Sequence, residues 1–265
     1  MRFGMCAHFD QAEFYGAMGY DYLEIPVGSY VDLDEEAFEG IAAKVGRGRI
    51  PCEAVNCFFP GSLRLTGEGV NPEAIAAHAE KALSRAARLG VKVAVVGSGG
   101  ARKVPEGFDP LRGRHQFARA LSIVGDAGLR HGILIVIEPL NRGETNLVNR
   151  FQDGAALAEE IDHPGVRTLI DYYHMAVEEE DSAVLLEHPG ALRHVHIANP
   201  AGRVFPRDVE ESAYGAFFSV LAKAGYHERM SVEGKSEDPA KDAPPALAAL
   251  KTLSARATSR PAMAV

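Results

Sequence analysis

Along the chain, short apolar runs alternate with longer stretches in which apolar residues recur at helical spacing. The runs Arg2–Phe9, Tyr22–Val27, Cys52–Phe59, Val91–Val96, Ile133–Ile137, Thr168–Ile170, His194–Ile197 and Met230–Val232 predict eight strands. Ile133–Ile137 is the clearest, a continuous aliphatic run of the kind a parallel strand covered on both faces requires. Between the strands the pattern predicts helices over 11–18, 34–45, 71–89, 109–130, 153–161, 182–186 (a short one), 214–224 and 243–253. Asn71-Pro72-Glu73 has the grammar of a helix start, with an N-cap, a proline at the first helical position and an acid in the first turn. Asp109-Pro110 opens the next helix in the same way, and Gly19 and Gly90 stop the helices before them.

Strands that alternate with helices imply a parallel sheet. Eight such units in 265 residues, about 33 each, predict a single (β/α)8 TIM barrel over residues 1–253, an α/β fold. The small, polar stretch 254–265 is expected to be a frayed tail. No G-x-G-x-x-G follows the first strand, which argues against a dinucleotide fold. Gly97-Ser98-Gly99-Gly100 follows the fourth strand without the G-K-[ST] of a phosphate loop, and is expected to form a mobile loop.

Composition narrows the function classes. With 46% apolar and 24% charged residues the chain is neither disordered nor, with three cysteines, a disulfide scaffold. Cys6, Cys52 and Cys57 are expected to be free thiols, buried or nearly so, in a reducing cytoplasm. A net charge of −8 disfavours broad binding to a nucleic-acid backbone. No apolar run is long enough to span a bilayer, and Asp10 and Glu13 interrupt the N-terminus too early for a signal peptide. The expectation is a cytoplasmic protein with neither nucleic-acid nor membrane partners. A homo-oligomer is compatible with the sequence, which does not specify the oligomeric state.

Four predicted strands end in a group able to bind a metal: Glu138, Asp171, His196 and Glu233, separated by 33, 25 and 37 positions. One such residue alone would read as a solvated loop acid. Four at the same register are different, because all strand C-termini of a (β/α)8 barrel meet at one face, where a buried charge is costly unless it is paired or bound to a cation. Three carboxylates and one imidazole suit Mn²⁺ best, with Mg²⁺ or Co²⁺ as alternatives, over a thiolate-preferring metal. Near them lie His174, Glu144, Arg203 and His8 as candidate substrate contacts, and His194 one layer deeper on the strand of His196. Arg64, Arg102 and Lys103 fall in the loops after strands three and four. They read either as ordinary loop charges or as cations that meet a substrate phosphate.

At these residues the chain resembles the xylose-isomerase-like TIM barrels, the sugar phosphate isomerase/epimerase superfamily, over essentially its whole length. Glu138-Pro139-Leu140-Asn141-Arg142 with Glu144 is similar to the segment after strand five of ketose 3-epimerases. Asp171-Tyr172-Tyr173-His174-Met175, His194-Val195-His196-Ile197-Ala198 and Ser231-Val232-Glu233-Gly234 resemble the motifs of strands six, seven and eight. Gly202-Arg203 is spaced as in hydroxypyruvate-isomerase-like members, and the P-G-x-G that commonly follows that Arg is replaced by Val204-Phe205-Pro206-Arg207-Asp208. The resemblance implies one divalent metal on Glu138, Asp171, His196 and Glu233. It makes Glu138 and Glu233 the acid/base pair, and Glu144, His174 and Arg203 substrate contacts. The implied reaction is sugar isomerisation or epimerisation by proton transfer next to a carbonyl, through a cis-enediolate. An inosose-type dehydratase and a non-catalytic sugar-binding barrel remain the alternatives.

Overall fold

The apolar runs become strands because each is covered on both faces, by helices outside and by side chains inside. A computed structural model of the chain describes residues 1–259. The strands are β1 (Arg2–Cys6), β2 (Tyr22–Pro26), β3 (Cys52–Asn56), β4 (Val93–Val96), β5 (Leu134–Ile137), β6 (Val166–Asp171), β7 (Leu192–Ile197) and β8 (Arg229–Val232). All pair in parallel in chain order, and β8 closes on β1. The fold is therefore the expected (β/α)8 barrel.

The helices are α1 (Ala12–Met18), α2 (Glu35–Arg47), α3 (Pro72–Arg88), α4 (Gly99–Arg102), α5 (Pro110–His131), α6 (Phe151–Ile161), α7 (Tyr172–Val177), α8 (Tyr214–Lys223) and α9 (Pro239–Ser259). Local chemistry sets several starts. Asp34 accepts the Ala37 N–H at 2.8 Å, Asn71 that of Ala74 at 3.0 Å and Asp109 that of Leu111 at 2.9 Å. Each such cap contributes about 1 kcal/mol.

Several elements differ from the sequence expectation, β3 among them, which ends at Asn56 rather than Phe59. β1 ends at Cys6, and Phe9–Gln11 form a 3-10 turn that carries His8 away from the strand. In the glycine-rich run after β4, the expected mobile loop, Gly99–Arg102 wind into the one-turn helix α4. Residues 172–177 form α7, started by Asp171, whose carboxylate accepts the Tyr173 N–H at 2.7 Å; Ser182–Leu186 is 3-10. Helix α9 runs through Pro244-Pro245 and past Leu253 to Ser259, so residues 254–259 are not frayed. Burial of Leu253 holds this last stretch, and the Thr258 hydroxyl donates to the Ser254 carbonyl at 3.0 Å. The remainder of the expected tail, 260–265, lies outside the described residues. Among the described residues no helix is long and apolar enough to cross a membrane.

The main core lies between strands and helices, whereas Tyr22, Ala54, Val93, Val95, Val136 and Leu169 fill the barrel interior. Tyr22 occupies the place a side chain on Gly4 would take, because a Cβ there would overlap its ring. Its hydroxyl is 2.8 Å from Ser231 Oγ across the barrel. Gly4→Ala is expected to destabilise the barrel by about 1–3 kcal/mol through overpacking, read as a lower urea midpoint with an unchanged denaturant slope. An unchanged midpoint would mean that the interior has room to spare.

Candidate active site

Because the strands are parallel, β5 to β8 deliver their C-terminal residues to one mouth. Glu138 and Glu233 directly follow β5 and β8, Asp171 ends β6, and His196 is the penultimate residue of β7. Asp171 and His196 are register partners on adjacent strands. One ligand atom from each of the four residues lies within 4.8 Å of the other three. All are buried except Glu233, whose side chain keeps 21% of its exposure. The structure thus brings together the four residues that the sequence singled out.

The imidazole of His196 is held from both sides. Its Nε2 lies 2.8 Å from Glu24 Oε1, and its Nδ1 lies 3.0 Å from Glu138 Oε1 and 3.7 Å from Glu233 Oε2. The other Glu24 oxygen lies 2.8 Å from His194 Nε2 and accepts from Ser231 Oγ at 2.7 Å. Burial opposes the charge on Glu24, yet the two histidines outweigh it and hold this carboxyl well below its ordinary range. Burial likewise opposes a proton on His196, but Glu24, Glu233 and Glu138 push its pKa well up. With Nε2 committed to Glu24, the ring offers Nδ1 to the mouth, as for a metal-binding histidine oriented by a carboxylate.

Glu24 is the residue that sequence reasoning missed. Its signal was present: in Tyr22–Pro26, Leu23 and Ile25 face the outer core, so strand alternation turns Tyr22 and Glu24 into the barrel. An acid at an inward position of a buried strand needs a partner, and His194 and His196 are those partners. Cys6, Glu24 and His196 also approach one another within 4.8 Å. With His196 Nε2 held by Glu24, the Glu138 group is the candidate metal site of the two.

The two glutamates at the mouth differ in protonation among the protein's own groups. Burial disfavours ionisation of both. For Glu138 the hydrogen bond and charge of His196 prevail, and its pKa falls. For Glu233 burial prevails, aided by Glu138 and Asp171 against the pull of His196 and Arg203, and its pKa is pushed up to about 8. Gly97, at the end of β4, makes room for this arrangement, since a Cβ there would overlap Glu138 Oε2.

Around the four lie three predicted substrate contacts. His174 Nδ1 accepts the Asn141 backbone N–H at 3.1 Å, which assigns the remaining proton to Nε2, 3.6 Å from Asp171 Oδ2. Arg203, in a left-handed conformation (φ 53°), donates to Glu233 Oε2 at 2.5 Å and to Glu144 Oε1 at 3.2 Å. The turn that presents it is closed by Asn199 N–H donating to the Val204 carbonyl at 2.8 Å. Glu138, Glu144, Arg203 and Glu233, with Cys6 and Phe59, line a cavity of about 480 Å³.

Other expected contacts fall elsewhere. His8 lines an adjoining recess of about 420 Å³ rather than this cavity, with its Nδ1 2.9 Å from Asp10. Cys57 is exposed as a residue rather than buried, turning out of β3 with φ 48°, but its thiol is partly enclosed, and that burial with the carboxylates of Glu233, Glu138 and Glu24 pushes it up to about 11. Arg64 and Arg102 are not loose loop charges: Arg64 donates to the Gly100 and Lys103 carbonyls at 3.0 and 2.8 Å, and Arg102 is fully buried.

Comparison with known proteins agrees with this geometry. The family described as xylose isomerase-like TIM barrel matches residues 12–253. A ketose 3-epimerase of Arthrobacter globiformis is 34% identical over 109 residues, 40% of this chain and 37% of that enzyme. The chain thus spans well under half the length of that relative. An L-ribulose 3-epimerase of Mesorhizobium japonicum is 26% identical over 83% of this chain and 73% of its own. The crystal structure of a 3-keto-D-glucoside 4-epimerase from E. coli superposes with a TM-score of 0.80 at 24% identity, over 95% of this chain and 99% of that one, which speaks to the fold. Matched over most of its length and closed into the same eight-stranded barrel, this chain belongs to the xylose isomerase-like TIM barrel family.

Proposed function

We propose that this protein is a divalent-metal-dependent epimerase or isomerase of a ketose or a related small hydroxy-carbonyl sugar. The observation that carries the reading is that Glu138 and Glu233, from strands three apart, line one cavity and each bring a carboxylate oxygen within 4.8 Å of a ligand atom of buried Asp171 and of His196. The names of the relatives, epimerases of ketoses and of a keto-glycoside, agree with it.

The residues fit a divalent cation. Three carboxylates and one imidazole form a compact oxygen-rich donor set, and Asp171 Oδ2 is buried without a hydrogen-bond partner. Glu138, Asp171, His196 through Nδ1, and Glu233 would hold the ion, with Mn²⁺ the best match. Once bound, it would act as a Lewis acid on a sugar carbonyl and ease ionisation of the adjacent C–H.

The protein's own groups do the rest. Glu138, held ionised, is the base that removes the proton next to the carbonyl to form a cis-enediolate. Glu233, on the other side, passes a solvent-derived proton back to the carbon, while Glu138 releases to solvent the one it took. Return to the opposite face of the same carbon epimerises it, and a pair on separate strands suits that outcome. His174 Nε2–H, Glu144 and Arg203 orient the sugar hydroxyls. Arg64 and Arg102 are bound to backbone carbonyls, which favours an unphosphorylated substrate. Three free cysteines suit a reducing cytoplasm.

With Mn²⁺ and a panel of ketoses in D₂O, deuterium is expected at the carbon next to the carbonyl, with products of unchanged composition. Glu138→Gln and Glu233→Gln should each lower kcat by about 10²–10⁴-fold. Turnover without exchange by wild type, together with near-full rates in both variants, would sink the scheme; loss of water would mark a dehydratase.

Metal affinity carries its own pH signature. Glu233 and His196 Nδ1 must each surrender a proton to bind a cation, so affinity should fall as pH drops below about 8, by up to about a hundredfold per unit for two displaced protons. Calorimetric Mn²⁺ titration from pH 6 to 8, in buffers of different ionisation enthalpy, checks both the slope and the proton release. A flat profile would contradict the assignment.

A further inference from the structure

We propose that Arg102 is a positioning residue for Glu138: its buried guanidinium fastens the two backbone carbonyls, Val96 O and Val148 O, that hold the chain on either side of Pro139. The inference deepens the reading above and rests on it for the role of Glu138 as base and metal ligand.

Arg102 ends the one-turn helix α4 and is among the largest fully buried side chains of the protein. Its Nη1 donates to Val96 O at 3.4 Å and its Nη2 to Val148 O at 3.3 Å, and its guanidinium lies 5.4 Å from the centre of the Phe117 ring. Glu138 and Glu144 act on it through space rather than by contact, and burial pushes its pKa down to about 10. A buried guanidinium without a carboxylate partner is an expensive way to fill space, and an apolar side chain of similar length would fill it without that cost.

The two carbonyls it joins explain its placement. Val96 O also accepts the Glu138 N–H at 3.2 Å, and Val148 O also accepts the Leu140 N–H at 3.2 Å. Pro139 between them has no N–H to give. Both N–H groups of the Glu138–Leu140 segment therefore donate to acceptors shared with Arg102, while the Leu140 carbonyl is held separately by Asn149 Nδ2 at 2.7 Å. Val148 turns its carbonyl to this position in a left-handed conformation (φ 59°), a strained choice for a β-branched residue that needs its surroundings to hold it. The strand end has little latitude, since Glu138 Oε2 already fills the space beside Gly97. A small slip of β5 against β4 would move the carboxylate off its place among Asp171, His196 and Glu233.

Arg102→Met and Arg102→Lys test this by three measurements: Mn²⁺ affinity by calorimetry, thermal midpoint, and kcat with KM. Arg102→Met is expected to bind Mn²⁺ about 10–100-fold more weakly, the usual effect of removing a group that orients a ligand. Its kcat should fall by a similar factor with little change in KM. Its thermal midpoint should hold or rise, because an unpaired buried charge has gone. Arg102→Lys should recover part of the affinity, since an ammonium reaches one carbonyl but lacks the fork for two. Mn²⁺ affinity within twofold of wild type in Arg102→Met would overturn the proposal, as would a lowered midpoint with affinity intact, the mark of a merely structural role. If Arg102→Met does not fold, Arg102→Lys decides, and wild-type Mn²⁺ affinity in it overturns the proposal. Should the wild type turn over no sugar while Arg102→Met still loses Mn²⁺ affinity, the proposed reaction fails and the positioning role stands.

Discussion

A carboxylate sealed inside a barrel must be neutralised by its neighbours, and the burial of Glu24 organises the mouth above it. Its two oxygens take His194, His196 and Ser231 at 2.7–2.8 Å, and Ser231 in turn meets the Tyr22 hydroxyl. In a medium of low dielectric, releasing any one of these partners would leave charge or a polar group unmatched. The imidazole of His196 therefore cannot rotate freely. Its Nε2 faces down to Glu24, and its Nδ1 faces up to Glu138. The orientation of the one nitrogen ligand follows from an acid on a strand well away from its own in the chain.

From that fixed imidazole the differences between the two glutamates follow. The His196 ring, 3.0 Å from Glu138, pulls that carboxyl's pKa down, whereas burial, aided by Glu138 and Asp171, pushes the Glu233 carboxyl up despite His196 at 3.7 Å. Arg203 bridges Glu233 and Glu144 at the rim, and Arg102 braces the backbone of Glu138 from behind. Small residues complete the frame. Gly97 clears space for the Glu138 carboxylate, and Gly4 for the ring of Tyr22. Side chains from many separate segments thus meet within a few ångströms, none adjacent in sequence to its main partner.

Much of this was legible before any coordinates. Glu138, Asp171, His196 and Glu233 stood out because a strand end is visible in the apolar pattern, and because in a parallel barrel every such end faces one way. His8 was legible as a strand end too, but the chain turns away at Cys6, so its ring points to an adjoining recess. Arg102 looked like a loop cation because four residues of helix after a glycine-rich run leave no periodic trace. Glu24 could have been found by alternation alone, had an acid inside an apolar run been treated as a demand for a partner.

The division has a physical cause. Strand and helix order, helix caps and the direction of each strand end depend on neighbours a few residues apart, and these the sequence by itself determined. It also determined the inventory of metal-binding groups. Which imidazole nitrogen faces the mouth, which glutamate is pushed towards its acid form and which arginine is buried are set by the closed barrel. Those outcomes depend on distances set when the hydrogen-bonded ladder closes from β8 to β1. They depend also on left-handed turns at Val148 and Arg203 that no local preference would have chosen.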